Sequence, residues 1–110
     1  FAKLEEGVIV CYGCNISCDT HIGANSFFQP SASAGHDTEI GSDCVISACS
    51  RVAGNVTIGN CTYIGMSSLV REQITIGNYV IAAMGSVIQK SVEDDLVVMG
   101  NPARAYQKNT

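Results

Sequence analysis

The stretch Ile40-Gly41-Ser42-Asp43-Cys44-Val45-Ile46-Ser47-Ala48-Cys49-Ser50-Arg51-Val52-Ala53-Gly54-Asn55-Val56-Thr57-Ile58 decides the fold. Every sixth residue in it is aliphatic: Ile40, Ile46, Val52 and Ile58. The same phase runs outward in both directions. Leu4, Val10, Ile16, Ile22, Phe28 and Ala34 precede it, and Ile64, Val70, Ile76, Ala82 and Ile88 follow, without a slip. Four residues after each apolar position the side chain is usually small: Cys14, Thr20, Ser26, Ala32, Thr38, Cys44, Ser50, Thr62, Ser68 and Ser86. The residue directly after the apolar one is often glycine, as at Gly23, Gly35, Gly41, Gly59, Gly65 and Gly77.

No α-helix has a six-residue period, and an ordinary strand alternates every two residues before turning. A period of six with one large and one small inward residue describes a three-sided coil. Each side is a short strand, and each corner is a tight turn whose backbone angles glycine is expected to tolerate. Three hexads make one coil, so residues 4–93 give about five coils. At parallel-strand spacing they stack to a prism about 24 Å tall. The fold class is therefore all-β, a parallel β-helix of about five three-sided coils with a short C-terminal extension. The chain divides into the coils, 1–93, and a C-terminal strand and tail, 94–110. That last segment reads as an acidic turn, a short strand and a Gly-x-Pro bend, with a polar tail fraying after Tyr106.

The 110 residues carry a net charge of −4, only 15% are charged, and Lys and Arg do not cluster. That argues against nucleic acid or an anionic membrane as the partner. No apolar run approaches the roughly 20 residues of a membrane span, and no secretory leader pattern is present. The six cysteines lie among regularly spaced Val and Ile. They read as reduced packing residues of a cytoplasmic protein. Cys44 is expected inside and Cys49 outside. Cys11 and Cys14 have CxxC spacing, but no fourth ligand completes a zinc knuckle, so no metal is expected.

Three features carry a resemblance. Val98-Met99-Gly100-Asn101-Pro102-Ala103-Arg104 looks like the closing signature of hexapeptide-repeat acyltransferases. Gly35-His36-Asp37-Thr38-Glu39-Ile40-Gly41, followed by Ala53-Gly54-Asn55-Val56-Thr57-Ile58-Gly59, resembles the sialic acid O-acetyltransferase and bacillosamine-type sugar N-acetyltransferase family. The resemblance runs from about residue 4 to about residue 105. It implies a left-handed coil, against the usual right-handed crossover. It also implies acetyl transfer from acetyl-CoA to an amine or hydroxyl of a sugar or nucleotide-sugar acceptor. Family members carry an N-terminal Rossmann-like domain and a further coil before this point, which this sequence lacks. Many also have a second histidine where Val45 stands here.

Acetyl transfer from a thioester needs a base for the acceptor's proton and a donor for the thioester oxygen. His36 is the candidate base, because imidazole titrates near neutrality. It lies on an outward corner, and Asp37 is placed to hold its ring. Gly54 falls three hexads on, one coil above, and the resemblance gives its N–H the oxyanion role. The resemblance also gives the backbone amides of Met66 and Met84 to the pantetheine arm. Lys90 and Arg104 are the cations toward the C-terminal end that would meet the nucleotide phosphates. His21 reads as a surface or interface residue. Flat faces, outward residues such as Phe27, and a site without loops of its own predict a homotrimer.

Other uses of such a prism are weaker. A zinc-dependent anhydrase needs three histidines, and this chain has two. Ice binding wants a repeated outward Thr array, and the outward residues here are mixed. A non-catalytic trimeric scaffold or binding module is the alternative to the enzyme.

Overall fold

Two residues per hexad are extended and four turn. The computed structural model describes residues 1–110, and strands of two residues, β1 (Lys3–Leu4) to β15 (Val87–Ile88), recur every six residues. Each hexad's apolar residue is the second of its strand and points inward. Strands pair in parallel with the strand one coil on, as Lys3 with His21, Phe27 with Val45 and Ser33 with Arg51. The result is a left-handed β-helix of five coils with three sheets.

The first face stacks β1, β4 (His21–Ile22), β7 (Glu39–Ile40), β10 (Thr57–Ile58) and β13 (Thr75–Ile76). The second stacks β2 (Ile9–Val10), β5 (Phe27–Phe28), β8 (Val45–Ile46), β11 (Tyr63–Ile64) and β14 (Ile81–Ala82). The third stacks β3 (Asn15–Ile16), β6 (Ser33–Ala34), β9 (Arg51–Val52), β12 (Leu69–Val70) and β15. The coil that carries Phe28 also carries Ala34, which keeps its inward volume within what the close-packed prism can hold. From Ile22 to Ile88 the inward apolar residues are all buried. In the lowest coil Leu4 and Val10 remain 43% and 39% exposed, because no coil stacks beneath them.

Two corner details differ from the sequence-based expectation. The left-handed backbone falls two residues after the recurrent glycines, at Asp19, Asn25, Ser31, Asp37, Asp43, Cys49, Asn55, Cys61, Ser67, Gln73 and Tyr79, with φ between 54° and 63°. Asn and Asp accept this region most readily, and for other L-residues it costs roughly 1–2 kcal/mol. The recurrent glycines are needed for space instead. A Cβ on Gly35 would stand 2.5 Å from the Gly54 nitrogen, and one on Gly23 would stand 2.6 Å from the Gly41 carbonyl carbon. The coils approach too closely there for any side chain.

The small inward residues are also more than space savers. Thr20, Ser26, Thr38, Ser50 and Thr62 each donate their hydroxyl to a corner carbonyl of the next coil, at 2.7–2.8 Å. Cys44 does the same with its thiol toward the Gly59 carbonyl, at 3.0 Å. The hydroxyls satisfy carbonyls that the strand ladders do not reach.

Above the fifth coil the pattern changes. Val92 bridges to Ile76 and continues the first face. β16 (Leu96–Gly100) continues the second face in parallel with β14. β17 (Ala103–Lys108) then returns antiparallel to β16, after a cis Asn101–Pro102 peptide. The tail does not fray at Tyr106. β17 reaches Lys108, and Asn109 donates to the Asp95 and Tyr79 carbonyls.

Candidate active site at a prism corner

The three columns of corners are chemically different, and the difference lies in their backbone amides. Between the first and second faces, an Asn/Asp ladder occupies the amides. Ser42 N–H donates to Asn60 Oδ1 at 2.9 Å, Asn60 N–H to Asn78 Oδ1 at 2.7 Å, and Asn78 N–H to Asp94 Oδ1 at 2.7 Å. Between the second and third faces, Gln29 Oε1 accepts from Ala48 N–H. The Met66 and Met84 amides higher in that column have no acceptor within the chain. Between the third and first faces stand Cys18, His36, Gly54, Glu72 and Lys90. There the Gly54 N–H is likewise without an acceptor.

His36 and Asp37 occupy this last corner. The left-handed Asp37 (φ 54°) turns its carboxylate back on its neighbour, and His36 Nδ1 lies 2.9 Å from Asp37 Oδ2. With Nδ1 protonated toward the carboxylate, Nε2 holds the lone pair. Nε2 is also the atom nearest Gly54: a Cβ on Gly54 would come within 2.8 Å of it. Glycine is therefore required one coil above His36 for the ring to stand where it does. The Asn55 N–H, bonded to the His36 carbonyl at 2.9 Å, ties the two corners together. Both side chains, His36 and Asp37, remain more than half exposed, so a small molecule can reach Nε2.

His21 is built differently. Its Nε2 lies 2.6 Å from Glu5 Oε2 and its Nδ1 3.0 Å from Glu39 Oε2. The hydrogen bond to Glu5, then that to Glu39, pushes the His21 pKa above the ordinary value. The bond to His21 in turn holds the Glu5 carboxyl below its usual range. With both ring nitrogens engaged by carboxylates, His21 has no lone pair to offer as a base.

The sequence-derived residues thus fall into three groups. His36, Asp37 and Gly54 form one cluster. Met66 and Met84 share a corner on the opposite edge of the third face. Lys90 and Arg104 line one pocket of about 130 Å³ with Gln89, Pro102 and Ala103 at the C-terminal end. A larger pocket beside it, about 240 Å³, is lined by Val92, Leu96 and Val98 among others. All six cysteines are free, Cys44 buried and Cys49 exposed. Burial holds the Cys44 thiol above its usual pKa, the wrong direction for a nucleophile. The Asn/Asp ladder had a sequence signal, Asn60 and Asn78 one coil apart, which the six-residue reading passes over.

Fold and repeat define a class: a hexapeptide-repeat left-handed β-helix. Residues 19–54 match the bacterial transferase hexapeptide family, described as six repeats. The chain is similar to WeeI from Acinetobacter baumannii AYE, with 27% identity over 96% of this chain and 52% of that one, and a TM-score of 0.94. It shares its fold with a galactoside acetyltransferase solved in complex with coenzyme A, at 21% identity, 98% and 65% coverage and a TM-score of 0.89. It shares it also with GDP-perosamine N-acetyl transferase from Caulobacter crescentus, solved with CoA and GDP-perosamine, at 21% identity, 97% and 57% coverage and a TM-score of 0.54. The chain spans about half the length of WeeI. No curated protein matches it.

Proposed function

We propose that the chain is an acetyl-CoA-dependent acetyltransferase domain, acting on an amine or hydroxyl of a sugar-type acceptor. One observation carries this reading. A histidine whose Nδ1 is tied to Asp37 presents Nε2 beside Gly54, a residue whose N–H nothing in the chain uses. The structures with this fold that hold CoA support the choice of donor.

The chemistry follows from those atoms. Nε2 takes the proton as the acceptor nitrogen or oxygen attacks the thioester carbon. The Gly54 N–H donates to the oxygen as it becomes negative. Asp37 stabilises the imidazolium. Collapse expels the CoA thiolate, and the imidazolium returns its proton to sulfur, leaving acetylated acceptor, free thiol and neutral His36.

The site is shared between copies. His36 and the free Met66 and Met84 amides lie on different corners, with the third face between them. One chain cannot present both edges to the same thioester. The second face offers the contact: its outward residues are Ile9, Phe27, Val45, Tyr63 and Ile81, apolar in all five coils. A homotrimer brings one copy's histidine corner to its neighbour's methionine corner. Lys90 and Arg104 then take the phosphates of the cofactor.

The test is kinetic. With an acceptor found from a panel of amino sugars, nucleotide sugars and sialic acid, His36→Ala should lower turnover roughly 10²–10⁴-fold. Affinity for acetyl-CoA should stay unchanged, and His21→Ala should behave as wild type. Full activity in His36→Ala would refute the mechanism.

A further inference from the structure

The histidine corner itself carries acids, Asp19, Asp37 on His36 and Glu72 on Arg71, and its cations lie to one side of it. On the first-face side lie Glu39, already bonded to His21, and the neutral Thr57 and Thr75. On the third-face side lie Arg51 and Arg71. The chain has six Lys and Arg residues and a net charge of −4, yet Arg51 lies on the third face, Arg71 and Lys90 follow that face at the histidine corner, and Arg104 lines the pocket at the C-terminal end.

Arg51 differs from the other three. Arg71 is bonded to its neighbour Glu72 at 3.2 Å, and Lys90 and Arg104 line the C-terminal pocket. Arg51 is exposed, and its guanidinium has neither an ion-pair nor a hydrogen-bond partner. It is the outward residue of β9, in the coil that carries Gly54, shortly before that glycine. Its partner in the coil that carries His36 is Ser33, a small residue. Three residues of chain separate Arg51 from Gly54, roughly 10 Å when extended, a span that one sugar ring at His36 and one arginine side chain together would cover.

We infer that Arg51 is a specificity-determining residue: it selects an acceptor bearing an anionic group, a carboxylate or phosphate, about one sugar ring from the attacking atom. This rests on the acetyltransferase reading above. The planar fork of donors matches either oxyanion in a two-point contact. A neutral acceptor would leave the guanidinium in water and gain nothing from it. His36 and Gly54 do the chemistry, and Arg51 touches only the portion of the acceptor that does not react.

The experiment compares glucosamine, its phosphate monoester and its uronic acid as acceptors, with acetyl-CoA saturating. The wild type should prefer the two anionic acceptors. Arg51→Gln should raise their KM about 10- to 100-fold, the loss expected for a charge-assisted hydrogen bond. Turnover on glucosamine and the KM for acetyl-CoA should not change. Arg51→Lys should restore some of the affinity, and the anionic acceptor that the wild type takes with the lower KM identifies the selected group as phosphate or carboxylate. An equal KM rise for charged and neutral acceptors, a raised KM for acetyl-CoA, or dissociation of the oligomer by Arg51→Gln would overturn the inference. Acetyl transfer that ignores acceptor charge and survives Arg51→Gln unchanged overturns this inference alone. Absence of transfer to any acceptor overturns it together with the acetyltransferase reading.

Discussion

Gly35 and Gly54 both lack room for a side chain, but different neighbours take the room. A Cβ on Gly35 meets backbone, the Gly54 nitrogen at 2.5 Å and the Ala53 carbonyl carbon at 2.6 Å. Gly35→Ala must push the coils apart, and urea denaturation should show a loss of about 1–3 kcal/mol. A Cβ on Gly54 meets only the far end of the His36 ring, which can swing into solvent. Gly54→Ala should keep wild-type stability and fall to the activity of His36→Ala. A stable, fully active Gly54→Ala would show that the ring's position does not depend on this glycine. His21 gives a pH test. Its pKa is raised above 6.5 by Glu5 and Glu39, so its contribution to stability is complete below pH 6.5 and is lost as pH rises through the raised value. Glu5, lowered from 4.5, contributes above pH 4.5 and loses that as pH falls through its lowered value. Thermal midpoints should therefore be highest between these limits and decline on the alkaline side, and His21→Gln should flatten that decline. The His36–Gly54 stack was legible in the sequence because both lie in one phase of the repeat, one coil apart. The six glycines that follow an apolar residue read in the sequence as a matter of φ, because the distance between coil backbones leaves no trace in a period. The Glu5 contact with His21 was invisible for a similar reason. Their spacing matches neither the hexad nor the coil, and only the stacked register brings them together.

The element that repeats is a two-residue strand and its corner, and what it buries is the inward pair. Thr62 shows how the small position works. Its hydroxyl donates to the Gly77 carbonyl at 2.7 Å and accepts from the Val80 N–H at 3.2 Å. Thr62→Val keeps the volume and removes both bonds. It should cost about 1 kcal/mol, read as a lower denaturation midpoint with unchanged cooperativity. No loss would mean that the recurrent Thr and Ser serve only to be small. The coils were readable because each hexad repeats the same division between inside and outside. β17 was not. It is an edge strand paired on one side only, and five of its six residues are exposed. An edge with both faces largely wet has no hydrophobic alternation, so its sequence looks like a tail.

A prism with three equal faces would have no reason to choose a partner, but these faces are unequal. The first shows polar residues in every coil, the third is mixed, with Arg51 beside Leu69 and Val87, and the second shows one apolar residue per coil. Ile9 and Tyr63 there are 57% and 43% exposed, surface that a neighbouring copy would cover. Phe27→Asp with Tyr63→Asp should convert the proposed homotrimer to monomers by light scattering. It should also abolish activity, although His36, Asp37 and Gly54 are untouched. A sharper experiment asks which copy supplies which half of the site. Pro30 occupies the same corner position as Met66 and Met84, lower in the same column, so proline fits the backbone there and removes only the N–H. Met66→Pro with Met84→Pro should therefore fold, trimerise and bind acetyl-CoA poorly, while His36→Ala should bind it well and transfer nothing. Assayed at low acetyl-CoA, each variant alone should be nearly silent. Refolded together, they form mixed trimers in which an unaltered histidine corner from one copy meets an unaltered methionine corner from the next. Those pairs should recover a measurable fraction of wild-type turnover. If every mixture stays as silent as its parents, both halves belong to a single chain, and the shared site is wrong even with the trimer intact.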